Sequence, residues 1–548
     1  MKKILIKSIV IILFTGLWAC DQDEFFEIKR PQETQWVNTV TFDQGLASAY
    51  ALVAYSDPGG IQMREFIVSG ISQLLPQTSS GIPWNEMYNR LFEQDISTNK
   101  NAWRDGYRAI TLCNAALQLD EEKAGNPFNL KVDGSDYIDN YTRQIGEYHF
   151  IRAYAYWNLT KIFAPPYSKN GSNNTAYIPF KVVVSTSKNE IVSERLGTTE
   201  EIYAQIIEDL RIAKDKLPGA FKAASMLPNY ECGRATNYTA SALLVKVLFM
   251  KGDYTGAKQE TDYIIAASEN DGRFALEAPL EAFNKNIVKN ISKEAIWEFN
   301  SGDPTVGGTN SYMYFSMLIS LNFRDADNGG RGVNMVKSSW NQFTLSYWTL
   351  DKIGWMTDPQ NGDFTLTPEA LSDLRFQQLY YHLLPYKPGI ANANNPDYLI
   401  YESLPAHAGV IKPQVYVDKY FRGGPGDGAF TKFPLIRLAD IYITRAWLNW
   451  KSGNLTGAAN DLNKVWNRAN PGNLDRYNAG NVNHDAIFEE YIREMSGEGW
   501  TLDFIMATNT DIPAGDVIDR LPIAPPYSNW NWIIPATERS LNPNYKEN

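Results

Sequence analysis

The chain has 548 residues, 44% of them hydrophobic, 13% aromatic and 21% charged, a balance that buries a large core and excludes a disordered or fibrous protein. Its formal net charge of -11 becomes -14 once the three lysines of residues 1–19 are removed, because that stretch holds no Asp or Glu. So acidic a chain lacks the basic face that a nucleic-acid partner demands, and its three cysteines are too few for a disulfide-stapled scaffold.

The first element is a leader. Lys2, Lys3 and Lys7 precede an apolar run from Ile9 to Trp18 that ends in Leu17-Trp18-Ala19-Cys20. A basic head, a short apolar core and a small residue before the cut describe a signal peptide over residues 1–19. Leu at minus three, Ala at minus one and Cys at plus one match the bacterial lipobox, so Cys20 is expected to be acylated and to tether the mature chain to a membrane. Nothing later in the chain reaches the roughly 18 apolar residues that a spanning helix needs. Asp21-Gln22-Asp23-Glu24 resembles the acidic tag that directs lipoproteins of Bacteroidota-type bacteria to the outer cell surface, and residues 20–35 read as a lipidated, flexible tether.

Helical patterning dominates the chain beyond the tether. Within residues 142–163, Phe150, Ala153, Tyr154 and Trp157 recur at the spacing of one buried helix stripe, which Pro165-Pro166 stops. Thr198 with Glu201 forms a capping box ahead of a face made by Ile202, Ile206, Leu210, Ala213 and Leu217. Two stretches, 240–267 and 435–468, share one plan: helix, a turn (Gly252-Asp253-Tyr254-Thr255-Gly256-Ala257 or Gly453-Asn454-Leu455-Thr456-Gly457-Ala458), then a second helix. A turn glycine, an apolar residue two later and an alanine five later mark a tetratricopeptide-like hairpin, where the alanine lets two helices approach. Between these stretches lies a loop-rich insertion, 270–430, with a strand-like Ala295-Ile296-Trp297-Glu298-Phe299 near its start. Loops of such length are usually functional. The expected fold is mainly α, with helical hairpins in residues 36–269 and 431–548 flanking an insertion that bears a few short strands.

Chemistry-bearing motifs are scarce. Four histidines (His149, His382, His407, His484) show no His-Glu-x-x-His spacing, and Cys-x-x-Cys and Gly-x-Ser-x-Gly are absent, so zinc and serine-hydrolase readings lose their sequence support. His149 sits in a packing helix and reads as structural. Gly424-Pro425-Gly426-Asp427-Gly428-Ala429 fits a dinucleotide pattern, but Pro434 stands where a phosphate-binding helix should start, so it reads as a surface loop. Asp358 and Glu369 have the outer spacing of a calcium loop, yet its glycine place holds Asp363; this stretch and Asp325-Ala326-Asp327 read either as partial calcium sites or as solvated acidic loops. No other cofactor is expected. Acids are too numerous for a glycosidase pair to be singled out. Cys113 and Cys232 allow at most one disulfide.

Aromatic side chains carry the binding expectation, since a flat ring can face the apolar side of a sugar or a peptide side chain while nearby amides fix orientation. Trp84, with Asn85 and Tyr88, follows Gly81-Ile82-Pro83, and Tyr312, Tyr314, Phe315 and Trp340 with Gln342 lie in the long insertion. Placement in the core is the alternative for each ring. Replacing Trp84, Tyr312 and Trp340 together by alanine is expected to abolish binding and leave thermal stability nearly intact. Trp157, Trp447 and Trp450 are assigned to helix packing or a partner interface.

Several segments, in order, resemble the SusD/RagB family of outer-membrane nutrient-binding lipoproteins. They are Trp103-x3-Tyr107-x2-Ile110-x3-Asn114, Gly146-Glu147-Tyr148-His149-Phe150-Ile151-Arg152-Ala153-Tyr154 leading through Phe163 to Ile178-Pro179, and Gly233-Arg234-Ala235-Thr236. Glu294-Ala295-Ile296-Trp297-Glu298, Pro434-Leu435-Ile436-Arg437-Leu438-Ala439-Asp440, Glu498-Gly499 with Asp503, and Ile534-Pro535 with Asn542-Pro543 complete the series. One departure is that the family's Glu-Gly-x-Arg-x-x-Asp reads Glu498-Gly499-Trp500-Thr501-Leu502-Asp503, without the arginine, which puts local ion pairing in question. The resemblance implies about four tetratricopeptide-like helix pairs with a loop-rich ligand region, no covalent chemistry, and a lid on a SusC-like TonB-dependent transporter that captures oligosaccharides or, in some branches, peptides. A cell-surface glycoside hydrolase and a purely structural adaptor are the competing readings.

Overall fold

This computed structural model describes residues 36–55, 60–74, 84–128, 137–185, 190, 194–220, 233–283, 292–300, 343–357, 365–383, 414–417, 419, 432–472 and 475–545. Cys20, Tyr312, Tyr314, Phe315, Trp340, Gln342, Cys232, Asp325, Asp327, Asp358, Asp363 and the 424–429 loop lie outside the described residues.

Eight helices make the scaffold: α1 (Thr39–Tyr55), α2 (Ser97–Lys123), α3 (Tyr137–Phe163), α4 (Thr199–Lys216), α5 (Asn237–Lys251), α6 (Tyr254–Glu269), α7 (Leu438–Lys451) and α8 (Leu455–Ala469). Each packs on the next in sequence, so α1–α2, α3–α4, α5–α6 and α7–α8 are four successive pairs, the number the resemblance implies. The local reasons are those of the sequence. The Thr198 side chain accepts from the Glu201 amide while the Glu201 carboxylate accepts from the Thr198 amide, which starts α4. Gly252 closes α5 at φ +85°, a conformation that side chains resist, and Asp253 then caps α6 by accepting from the Gly256 amide. Gly453 and Asn454 repeat this between α7 and α8. Ala257 and Ala458 are both fully buried, as close helix approach requires.

The stripe Phe150, Ala153, Tyr154 and Trp157 is likewise fully buried. Strand Ala295–Asn300 docks on it, with Trp297 meeting Phe150 and Tyr154 edge-on at ring separations of 5.0 and 4.9 Å. That strand pairs antiparallel with Lys432–Arg437, which runs directly into α7, so both ends of the long insertion are fixed to the scaffold. The described strands form five two-stranded antiparallel ladders. Trp157 and Trp447 are core residues, and Trp450 packs on Trp447 and His484, so all three serve helix packing. Cys113 is a free, buried thiol, whose burial pushes its pKa up, and forms no disulfide.

Candidate ligand-binding site

One of the sequence-expected binding segments, the helix that carries Trp84, Asn85 and Tyr88, meets the strand that begins at Phe343. The short helix Trp84–Tyr88 lies against a ladder in which Ser72–Leu74 pairs with Phe343–Leu345 in the register Ser72↔Leu345, Gln73↔Thr344 and Leu74↔Phe343. The Tyr88 and Phe343 rings are 6.4 Å apart. Phe343, the residue after Gln342 in the sequence, thus stands beside the helix that carries Trp84, Asn85 and Tyr88. Ser346 then starts the helix Tyr347–Lys352: its side chain accepts from the Thr349 amide, and its own amide donates to the Ile71 carbonyl at 2.7 Å.

Individual side chains differ from expectation. Trp84 opens a helix instead of sitting on a loop, and at 6% exposure it is a core residue, not a displayed platform. Tyr88 is 8% exposed, and burial raises its hydroxyl pKa. Truncating Trp84 therefore costs about 3–5 kcal/mol, so the expected triple alanine replacement does not leave stability intact. Asn85 is exposed, its carbonyl and side-chain oxygens accepting from the Asn89 amide group at 2.8 and 2.9 Å. Tyr347 and Trp348 are half-buried rings at the same junction that pattern reasoning missed. Their only sequence signal is the cap residue Ser346 just before them.

A cavity lies elsewhere, between the helix Gly60–Val68, the end of α3, the helix Thr501–Ala507 and the Trp530–Trp532 segment. It holds a pair of acids with perturbed titration, the signature an enzyme would show. Burial raises the Glu65 carboxyl to about 8, and burial likewise raises Asp503. Both acids, however, share one cation: Lys161 Nζ donates to Glu65 and, at 2.9 Å, to Asp503. The cavity measures about 40 Å³, space for roughly three waters and far less than a sugar ring needs. The pair is a structural joint. Glu369, at one end of the calcium-like spacing, binds Arg476 at 2.9 Å and lies 3.5 Å from Arg493, so its carboxylate already has cations. Among the described residues no group of acids, histidines and cysteines could hold a metal.

A family model described as starch-binding and associating with the outer membrane matches residues 24–247, and the model of the SusD family matches residues 293–503. The chain belongs to the SusD family. A SusD superfamily protein from Bacteroides thetaiotaomicron shares the fold at 20% identity, covering 93% of this chain and 99% of that one with a TM-score of 0.67. A putative sugar binding protein from Bacteroides vulgatus is similar at 20% identity, 92% and 96% coverage and a TM-score of 0.65. A laminarin-binding SusD-like protein is similar at 18% identity, 92% and 98% coverage and a TM-score of 0.64. No curated protein matches the sequence.

The segments that resemble the SusD family supply buried ion pairs. Arg152 grips Asp209 at 2.7 and 2.9 Å and donates to Asn114 at 3.0 Å, while His149 Nδ1 lies 2.7 Å from the same Asp209, which makes that histidine structural. Burial alone would raise the Asp209 carboxyl, but the His149 hydrogen bond and the Arg152 charge hold it below its usual value. Glu147 is bound by Arg143 and by Arg234 at 3.1 Å, and Arg437 binds Glu294 at 2.5 Å and Glu498 at 2.6 and 2.7 Å. Where the SusD pattern lacks its arginine, Lys161 of α3 supplies the cation to Asp503.

Proposed function

We propose that this protein captures glycans at the cell surface and delivers them to a SusC-like TonB-dependent transporter, over which it serves as a lid. Cys20, acylated and placed in the outer leaflet of the outer membrane, is the tether. The observation that carries the ligand site is the convergence of the Trp84–Tyr88 helix with the strand that begins one residue after Gln342. In this reading Tyr312, Tyr314 and Trp340 supply ring faces and Gln342 and Asn85 the orienting amides, while the buried Trp84 and Tyr88 anchor the helix that carries Asn85.

Support for a glycan comes from the laminarin-binding and sugar-binding neighbours and from the starch-binding description of the family model. Support for binding without covalent chemistry comes from the acid pair Glu65 and Asp503, whose titration is raised by burial and whose carboxyls both accept from Lys161 in a cavity of about 40 Å³. Among the described residues no helix is long and apolar enough to cross a membrane, which is compatible with a lipid tether. The double replacement Tyr312→Ala and Trp340→Ala, measured by calorimetry with an oligosaccharide that the parent binds, is expected to weaken affinity at least about tenfold with the melting temperature unchanged. Equal affinity in parent and variant contradicts this site.

A further inference from the structure

We propose that the loop Ile512–Ile523 is a clamp that fixes the spacing of the Trp84–Tyr88 and Tyr347–Lys352 helices, with Asp516 and Arg520 as its positioning residues and hence as determinants of ligand selectivity. This rests on the ligand site proposed above. The loop is C-terminal to both stretches matched by the family models, 24–247 and 293–503.

Its base is closed by Ile512 and Ile523, each amide donating to the other's carbonyl at 2.9 Å. From that base two side chains reach in different directions. Asp516 accepts from the Tyr347 amide at 2.7 Å and the Trp348 amide at 3.0 Å, which holds the start of the helix that comes after the Phe343–Leu345 strand. Arg520 donates to the Tyr88 carbonyl at 2.6 Å and to its own loop at Ala514, also 2.6 Å, and its guanidinium stands 5.3 Å from the Tyr88 ring. Arg90, just beyond the Trp84–Tyr88 helix, returns the contact by donating to the Pro513 carbonyl at 2.7 Å. Gly515, at φ +64°, lies so close to Gly70 that a Cβ there would sit 2.7 Å from the Gly70 carbonyl oxygen.

One loop therefore grips the Trp84–Tyr88 helix through a cation and the Tyr347–Lys352 helix through an anion. Charge-assisted hydrogen bonds of this kind are the stronger and more directional ones. A binding site selects among ligands only when its contact groups are held to within about 0.5 Å. A clamp that fixes the distance between two such segments acts on which chain length and linkage fits, beyond affinity alone.

The full chain is titrated calorimetrically with laminari-oligosaccharides of increasing length and with their α-1,4- and β-1,4-linked counterparts, and hydrogen exchange is followed in parallel. Asp516→Ala and Arg520→Ala are expected to lower the best affinity at least tenfold and to flatten the length preference, with Asp516→Asn restoring most of both. Exchange should rise in the Trp84–Tyr88 helix and in the Tyr347–Lys352 helix for either variant, because the clamp joins them. Ile518→Ala, at a position 86% exposed on the same loop, is the control with both readouts unchanged. Parent binding with unaltered affinity and length preference in Asp516→Ala and Arg520→Ala overturns the clamp. So does faster exchange confined to the helix each side chain touches. A parent that binds none of these glucans counts against the proposed glycan function, while the exchange data still decide the clamp. Should an alanine variant fail to fold, Asp516→Asn and Arg520→Lys carry the same comparison.

Discussion

Lys161 shows most clearly how single residues settle what the sequence leaves open. The missing arginine of the closing motif reads from the sequence as a lost ion pair, yet Lys161, on a helix more than three hundred positions upstream, meets Asp503 at 2.9 Å. That replacement is invisible in a linear pattern because it crosses the molecule. Its titration gives a measurable sign. Burial, with the nearby Asp503 charge, raises Glu65 from 4.5 to about 8 against the opposing pull of Lys161. The folded chain thus keeps a proton that the unfolded chain releases. The resulting stability is complete below the unfolded pKa and is lost as pH rises through the folded one. Glu65→Gln, which stays neutral, is expected to gain on the parent by at least about 1 kcal/mol between pH 5 and pH 8 in denaturant unfolding. An equal difference at both pH values would refute the assignment. Trp84 carries the opposite lesson. A tryptophan after Gly-Ile-Pro looks displayed, but its 6% exposure comes from packing that no local pattern encodes.

The elements were legible in proportion to their length and periodicity. The helix stripes, the Thr198 capping box and both glycine turns lie where spacing places them, because those signals are local. The ladder of Ser72–Leu74 with Phe343–Leu345 was not legible: each strand has three residues, and its partner is some 270 positions away. The site was half legible for the same reason. Composition pointed to the segment around Trp84, but not to Tyr347 and Trp348 nor to the loop that binds both their helix and that of Trp84. One tight element contact can be tested directly. At Gly146, α3 passes α4 so closely that a Cβ would lie 3.0 Å from the Lys216 Cβ and 3.1 Å from Leu217. Gly146→Leu forces the helices apart and is expected to cost about 1–3 kcal/mol in chemical unfolding. A variant as stable as the parent would show that the contact yields freely.

At the scale of the whole molecule, a helical scaffold of four pairs carries a long insertion whose two ends are fixed by the ladder of Ala295–Asn300 with Lys432–Arg437. Buried ion pairs made by the family-like segments hold that arrangement together, which explains why the family was readable while the ligand was not. Fold residues must satisfy buried charge and so recur in a fixed order. Ring and amide residues of a binding loop answer to a ligand and not to the fold. The proposed tether at Cys20 and the acidic residues after it would set the working position at the outer face of a membrane. The most direct test of the account is calorimetry of the full chain against a panel of neutral and acidic oligosaccharides and of peptides, with reducing ends assayed after each titration. Saturable binding of a glycan with no new reducing ends is the predicted result; release of reducing sugar, or saturation by peptides alone, would contradict it.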